Sequence, residues 1–277
     1  MALEADFSLF SSLRYDPNLL QSTANASVSY ISGTPSPFYM LRYHRDRMLS
    51  AAEYFRWDMV VSRLKDDAGL KYLNQELETE VKNWFASNGE QESQSLKIRT
   101  LFTPTSVLTI ELSPVPPVPL ENLFPTTLNP SSTLSTPPRA IYLDSCPTPP
   151  SPFTSYKTTS RDMYATARSR AGIHSFQEHS EVVLVNPAGE LMEGSLTSVY
   201  FFRDGKWVTP SVASGGQIGT TRRWLIDKGF CIEGIIEAKS LQDGESCWIS
   251  NGLRGLILCQ YISNLKDHNK TSSREDN

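Results

Sequence analysis

Apolar residues recur at three- and four-residue steps from Tyr39 to Trp57, where Leu41, His44, Met48, Ala51/Ala52 and Phe55 form one stripe and Arg45, Arg47, Glu53 and Arg56 fill the gaps. That spacing predicts an amphipathic helix. A second helix is predicted from about Asn74 to Ala86, with Leu77, Val81, Trp84 and Phe85 on one face and Asn88-Gly89 ending it. The period then falls to two, and Leu96 to Phe102 alternates as a strand. Further along, Thr158 to Arg170 has helical spacing, with Met163, Ala167 and Ala171 sharing a face. Strands are predicted at Glu181 to Asn186, Thr197 to Arg203 and Lys206 to Val208, separated by the turn residues Asn186-Pro187-Ala188-Gly189 and Arg203-Asp204-Gly205. Gly219-Thr220-Thr221 opens a helix through Ile226 that ends at Gly229. Two more strands, Ser246 to Ser250 and Gly255 to Tyr261, flank Asn251-Gly252-Leu253-Arg254, and the polar tail from Lys266 to Asn277 is expected to fray. No internal repeat occurs at solenoid periods. The layout is α+β in two lobes.

Composition refines this picture. At 277 residues the chain is about twice a usual domain, and its 39% hydrophobic content supports a real core. Thirteen of the 18 prolines fall between Pro104 and Pro152, a stretch without glycine, whereas 12 of the 15 glycines lie in the last 107 residues. We therefore expect an N-terminal α/β lobe over 1–103, a proline-rich connector over 104–152 and a β-rich lobe over 153–277. Proline without glycine favours stiff, extended backbone. The strand-like islands Val107 to Leu112 and Ala140 to Leu143 mark the connector as ordered chain. A net charge of −4 without a basic block argues against general nucleic-acid binding. No run approaches the 18 or so apolar residues of a membrane helix. The acidic start, Met-Ala-Leu-Glu-Ala-Asp, is unlike a basic secretory or mitochondrial leader. Cys146, Cys231, Cys247 and Cys259 lack metal-like spacing and read as buried, reduced thiols of a cytoplasmic protein.

Two ionisable residues stand out. Lys157 lies in Phe153-Thr-Ser-Tyr-Lys-Thr-Thr-Ser-Arg161, between the stiff connector and a predicted helix start. Most lysines are solvated surface residues, but this one falls where two lobes join, flanked by hydroxyls and an aromatic ring, with Arg161 able to lower its proton affinity. Glu193 precedes an apolar strand, between Met192 and Gly194. It is either an exposed hairpin glutamate or a carboxylate that pairs with a protonated heterocyclic nitrogen. Two glycine-hydroxyl elements could cradle a phosphate: Gly215-Gly-Gln-Ile-Gly-Thr-Thr221 before a helix, and Ser250-Asn-Gly-Leu-Arg-Gly255 after a strand. Neither is a P-loop or a dinucleotide fingerprint. Arg47 is the nearest candidate counter-charge, or else an exposed ion-pair residue. His44 reads as a packing or hydrogen-bonding residue. H-E-x-x-H, G-x-S-x-G and metal-spaced carboxylate clusters do not occur.

Taken in order, the His44-x-x-Arg47 helix, Lys157, Glu181-Val-Val-Leu-Val-Asn-Pro-Ala-Gly-Glu-Leu-Met-Glu-Gly-Ser195, Val199-Tyr-Phe-Phe, Val208-Thr-Pro, Ile218-Gly-Thr-Thr-Arg222 and Ser250-Asn-Gly resemble the class IV aminotransferase family of fold-type IV pyridoxal-phosphate enzymes. That family includes branched-chain and D-amino-acid aminotransferases, (R)-amine transaminases and 4-amino-4-deoxychorismate lyase. Phe10-Ser-Ser-Leu-Arg-Tyr-Asp16, the Lys157 segment, Asn251-Gly-Leu-Arg-Gly and the proline-rich connector look most like the fungal branch of lyase-like proteins.

The resemblance implies a two-lobed α+β fold with pyridoxal 5'-phosphate as cofactor. It implies that Lys157 condenses with the cofactor aldehyde and then moves protons at the substrate, while Glu193 keeps the pyridine nitrogen protonated. Arg47, Thr220, Thr221, Ser250 and Asn251 would hold the phosphate. Arg161 would neighbour the ring hydroxyl, and Arg14 or Arg99 would meet a substrate carboxylate. A homodimer acting on a small molecule is implied as well, with no nucleic-acid or membrane partner. There are departures: the chain begins close to Phe10, so the family's leading strand is expected to be short or absent. Ser11 and Ser12 stand where lyases often present threonine, and Ser198 stands near a familiar asparagine. These substitutions leave the reaction type open between three readings. The first is a lyase that releases 4-aminobenzoate and pyruvate from 4-amino-4-deoxychorismate, feeding folate. The second is a transaminase for D- or branched-chain amino acids or (R)-amines. The third is a non-catalytic relative, against which the presence of both Lys157 and Glu193 argues.

Overall fold

A computed structural model describes residues 6–29, 35–89, 93–129, 138–175 and 178–263. Two compact units emerge. The first comprises 1–126, 156–160 and 252–255, and the second comprises 127–155, 161–251 and 256–277. The proline-rich stretch is divided between them, so that 104–126 belongs to the first unit and 127–152 to the second. The tail from Lys266 lies outside the described residues.

In the first unit, β1 (Leu9–Tyr15) opens a three-stranded antiparallel sheet and is the first strand among the described residues. α1 (Thr23–Ser29), α2 (Leu41–Phe55), α3 (Asp58–Leu64) and α4 (Asp66–Asn88) follow, before β2 (Leu96–Phe102), β3 (Leu108–Pro114) and the single turn α5 (Leu120–Leu123). β1 pairs with β2 from Leu9↔Phe102 to Tyr15↔Leu96, and β2 pairs with β3. β2 alternates buried and half-buried positions along its length, as its period of two predicts. Leu9 and Leu13 from β1, Leu41 and Met48 from α2, Leu73, Leu77 and Val81 from α4, and Leu96, Ile98 and Phe102 from β2 share one core. α2 stops at Arg56, whose left-handed backbone turns the chain into α3. The predicted second helix extends further than expected in the N-terminal direction, because Leu70 and Leu73 continue the stripe of Leu77, Val81 and Phe85. Arg45, read as a polar interruption of the α2 stripe, is buried and donates to the Leu64 and Asp66 carbonyls, closing the end of α3.

In the second unit come β4 (Arg139–Leu143), the single turn α6 (Pro152–Ser155), α7 (Asp162–Arg170), β5 (Ser180–Val185), β6 (Leu191–Gly194), β7 (Ser198–Arg203), β8 (Lys206–Pro210), α8 (Thr220–Asp227), β9 (Ile232–Gly234), β10 (Ser246–Asn251) and β11 (Gly255–Tyr261). The strands form an eight-stranded mixed sheet in the order β6-β5-β4-β11-β10-β7-β8-β9. Tyr164, Ala167 and Ala171 of the α7 region pack on Val182, Leu184 and Met192, while Ile141, Val183, Leu191, Val199, Phe201 and Ile249 form a separate core. This is the predicted α+β architecture, and both strand islands of the connector, β3 and β4, are ordered.

One predicted helix starts late. Thr158 and Thr159 are not helical: the segment 156–160 runs antiparallel beside β1, with Phe10 N–H donating to the Lys157 carbonyl at 3.0 Å and Thr159 N–H to the Ser8 carbonyl at 2.9 Å. Backbone groups engaged in that ladder are withheld from helix hydrogen bonds, and α7 begins only at Asp162. The thiols also differ in part from expectation. Cys231, Cys247 and Cys259 are buried, whereas Cys146 is exposed because it lies in the turn after β4, and all four are free. Burial pushes the Cys231 thiol up to about 12. No helix of the described residues is long and apolar enough to cross a membrane.

Two glycines with left-handed backbone separate strain from crowding. Gly229 (φ +73°) has open space where a Cβ would stand, but at Gly255 (φ +65°) that atom would lie 2.1 Å from the Asn122 carbonyl oxygen. Gly229→Ala is expected to cost about 1–2 kcal/mol and Gly255→Ala about 3 kcal/mol or more. Paired thermal-unfolding curves check this, and equal losses would show that the Asn122 carbonyl yields.

Candidate functional site

In the first unit, the ladder that holds the 156–160 segment sets Lys157 against β1. Its Nζ stands 4.8 Å from the centre of the Phe10 ring, and the Arg99 guanidinium carbon lies 5.0 Å from the same ring. Tyr156, next in sequence, stacks on Tyr54. Ser11 follows Phe10 on β1, and strand alternation turns its side chain toward α2. There Arg47 Nη2 donates to Ser11 Oγ at 2.6 Å, which leaves the serine proton for His44 Nδ1 at 2.7 Å. His44 is therefore the Nε2–H tautomer. Burial holds its pKa well below the usual 6.5, and the positive charges of Arg47 and Lys157 push the same way. The structure thus gathers Lys157, Arg47, His44 and Ser11 into one cluster. His44 is the hydrogen-bonding residue that its pattern suggested.

The second unit presents a buried acid. Glu193 on β6 is 7% exposed, which rules out the exposed hairpin reading. The Tyr164 hydroxyl donates to Glu193 Oε1, and Gln217 Nε2 donates to the Tyr164 oxygen at 3.1 Å. The guanidinium of Arg161 lies 4.0 Å above the Tyr164 ring, and its Nη2 donates to the Ser195 carbonyl at 2.8 Å. Arg161 and Glu193 thus meet the same phenol. The turn after Glu193 is fixed by Glu181, whose carboxylate accepts from Ser195 N, Ser195 Oγ, Leu196 N and Thr197 Oγ1 at 2.5–3.2 Å. Arg168 adds a bond to Ser195 Oγ at 3.2 Å.

Beside this acid the two glycine-hydroxyl elements converge. Thr220 and Thr221 are buried in the first turn of α8, whose N-cap, Gly219, has no side chain to cap it. Thr221 Oγ1 donates to the Asn251 carbonyl at 3.0 Å, joining the start of α8 to the end of β10, and Ser250 Oγ pairs with the Tyr200 hydroxyl at 2.7 Å. A Cβ on Gly219 would lie 2.5 Å from Ser198 Oγ, so serine and glycine fit each other here. A helix N-terminus of this kind, lined with hydroxyls, suits a phosphate dianion.

One sequence expectation is corrected. Arg14 does not face a substrate: it is 1% exposed, and its guanidinium binds Asp16 Oδ2 at 2.8 Å and the Pro116 carbonyl at 3.1 Å. A buried arginine needs such a partner. Arg99 pairs with Glu111 at 2.9 Å and keeps its place over Phe10. Sequence reasoning did not single out Tyr164, Gln217 or the structural roles of Glu181 and Arg168. Tyr164 and Gln217 lie 53 positions apart, and no local pattern relates them. Among the described residues no group of His, Cys, Asp and Glu is arranged to hold a metal ion.

The family model for amino-transferase class IV matches residues 29–262. The chain belongs to the class IV aminotransferases. Aminodeoxychorismate lyase of Saccharomyces cerevisiae is 30% identical over 253 residues, an alignment covering 79% of this chain and 66% of the yeast protein, so the chain spans slightly under two thirds of that relative. In fold, the chain is similar to the branched-chain amino acid aminotransferase of Escherichia coli (TM-score 0.60, 14% identity, 96% of this chain and 81% of that one). It is equally similar to a hypothetical aminotransferase of Mycobacterium tuberculosis in its PLP-bound form (TM-score 0.60, 17% identity, 92% and 81%). The fold is that of the fold-type IV aminotransferases, and pyridoxal phosphate is the cofactor of the family. In the second unit a buried carboxylate at Glu193 and a glycine-capped helix start with buried hydroxyls have the chemistry to suit that group, and in the first unit Lys157 carries an amine.

The neutral His44 gives a pH dependence with a definite sign. Its folded pKa lies below its unfolded value, so the unfolded chain alone takes up this proton as pH falls below about 6.5, and stability is lost in that direction. Between pH 7.5 and 5.5 this residue should account for about 1.4 kcal/mol. Denaturant unfolding of His44→Gln at the two pH values should show that share gone, and an unchanged difference would contradict the neutral assignment.

Proposed function

We propose that this protein is a pyridoxal-phosphate-dependent lyase that converts 4-amino-4-deoxychorismate into 4-aminobenzoate and pyruvate, supplying folate synthesis. Likeness to the yeast lyase over most of the chain is the observation that carries this reading. When bound, the cofactor supplies an aldehyde that captures the substrate amine and a ring that withdraws electrons from it. Lys157 holds the cofactor aldehyde and then takes the proton from the substrate carbon bearing the amine. With that proton gone, the bond between the substrate ring and the enolpyruvyl oxygen would break, the substrate ring would become aromatic, and the departing enolate would take up a proton to give pyruvate. Glu193, buried on β6, would hold a proton on the pyridine nitrogen. Thr220, Thr221, Ser250, Asn251 and Arg47 hold the phosphate, and Arg161 neighbours the ring hydroxyl.

Arg47 cannot drift in this scheme, because Ser11 accepts from it and is itself oriented by His44. Arg99 is the remaining arginine of the sequence reading for a substrate carboxylate, since Arg14 is closed off by Asp16. Support for Lys157 comes from its extended segment beside β1, which removes the backbone freedom that a surface lysine would have. A homodimer belongs to the proposal because the family commonly builds its active sites at dimer interfaces. A cytoplasmic location belongs to it too, supported by three buried, unbridged thiols.

The expected protein is yellow, is bleached by borohydride with the label on Lys157, and is colourless as Lys157→Ala. Incubated with 4-amino-4-deoxychorismate, it should release 4-aminobenzoate and pyruvate in equal amounts. Amine transfer that depends on a keto acid, with no aromatic product, would replace the lyase with a transaminase. Glu193→Ala should retain part of its cofactor yet lose about a hundredfold or more in turnover, and undiminished turnover would remove Glu193 from the chemistry.

A further inference from the structure

We propose that Tyr164 is a positioning residue for Glu193: its hydroxyl, aimed by Gln217, holds the carboxylate in the orientation that meets the pyridine nitrogen. The inference rests on the role of Glu193 given above and adds to it the device that keeps the acid in place.

The need for such a device follows from where Glu193 sits. β6 has four residues and forms one edge of the eight-stranded sheet. It is tied to β5 at Val183↔Gly194 and Val185↔Leu191, with a register irregularity between the two pairs. Such irregularities re-aim side chains and loosen the ladder. A glutamate side chain also has three torsions and is costly to immobilise. Strand pairing therefore supplies little of the order required at the carboxylate.

Tyr164 supplies it from a rigid support. It lies on α7, is 2% exposed, and packs with Val182, Leu184 and Met192. Its hydrogen-bond direction is forced. The Gln217 amide nitrogen can only donate, and it donates to the phenol oxygen at 3.1 Å, so the phenol proton must go elsewhere. Its two acceptors are Glu193 Oε1 and the Thr154 carbonyl, the latter at 3.4 Å. The charged acceptor takes the stronger bond. Burial and the Glu193 charge hold the phenol well above its usual pKa of 10, with Arg161 over the ring opposing, so Tyr164 stays protonated and remains a donor.

Gln217 reaches the phenol because the loop before it lies against β6. A Cβ at Gly216 would come within 2.6 Å of the Met192 carbonyl oxygen and 3.3 Å of Glu193 Cβ. The glycine-rich loop thus acts at the carboxylate as well as at the start of α8. It brings Gln217 to the back of Tyr164, and Tyr164 to one oxygen of Glu193.

The test uses the full-length protein, freed of cofactor, in four forms: unaltered, Tyr164→Phe, Glu193→Gln and the double variant. Pyridoxal phosphate is titrated into each by absorbance, and the melting temperature of each cofactor-free form is recorded alongside. Tyr164→Phe should weaken cofactor binding about tenfold in the unaltered background and less than about twofold in the Glu193→Gln background. Gln217→Leu, which keeps the phenol but removes its guide, should weaken binding by about threefold and add nothing to Tyr164→Phe. Losses of equal size with and without the Glu193 carboxylate would overturn the proposal, as would no loss at all in Tyr164→Phe. If Glu193→Gln itself binds the cofactor undiminished, the role of Glu193 falls, and the role of Tyr164 falls with it. Melting temperatures that drop while the coupling to Glu193 is absent would make Tyr164 a packing residue only.

Discussion

The two backbone hydrogen bonds that lay the 156–160 segment along β1 are the constraint on which the order of the first unit's polar cluster depends. Lysine is the most mobile of side chains, and its backbone here is pinned at its own carbonyl. β1 then uses the alternation of a strand to serve two purposes with adjacent residues. Phe10 offers its ring to Lys157 and Arg99, while Ser11, on the opposite face, ties Arg47 to His44. A neutral, fully buried histidine between two cations is costly to charge, so the cluster holds its polarity fixed as its surroundings change.

Glu181 and Glu193, on neighbouring strands, show how burial can produce two kinds of acid. Glu181 accepts from the backbone and hydroxyls of the turn that follows Glu193, and its charge is absorbed in holding that turn. Glu193 is met by a phenol from a helix, which orients the carboxylate and leaves its chemistry directional. The first acid shapes the loop, and the second uses the shape. Arg161 and Arg168 reinforce the division by taking the carbonyl and hydroxyl of Ser195 between them.

Elements whose order comes from their own periodicity were readable from the chain: α2, β2, β10 and β11 lie close to their predicted bounds. What depended on distant partners was not. α7 was drawn four residues too early because Thr158 and Thr159 have good helical spacing, and only β1, some 150 positions away, claims their backbone. α3 went unseen because the breaks on either side of it, Arg56 and Asp66, are left-handed residues with no glycine to announce them. Arg14 was expected to meet a substrate carboxylate although Asp16, two positions on and so on the same face of an extended chain, was a visible partner. Lys157 and Glu193 stood out by their surroundings, and the roles expected of them came from family likeness, since periodicity assigns neither a purpose. Tyr164 and Gln217 carried no signal at all, because what joins them is a loop packed on a strand.

Neither compact unit is one continuous stretch of polypeptide. The chain leaves the first unit after 126, returns for five residues that include the lysine, and returns again for 252–255. No single cut separates the halves, so a truncation intended to isolate one would remove a strand neighbour or a turn from it. The bridge from β1 to the 156–160 segment cannot form during synthesis until residues far downstream of the N-terminal sheet have emerged, which makes that contact a long-range closure with a real entropic cost.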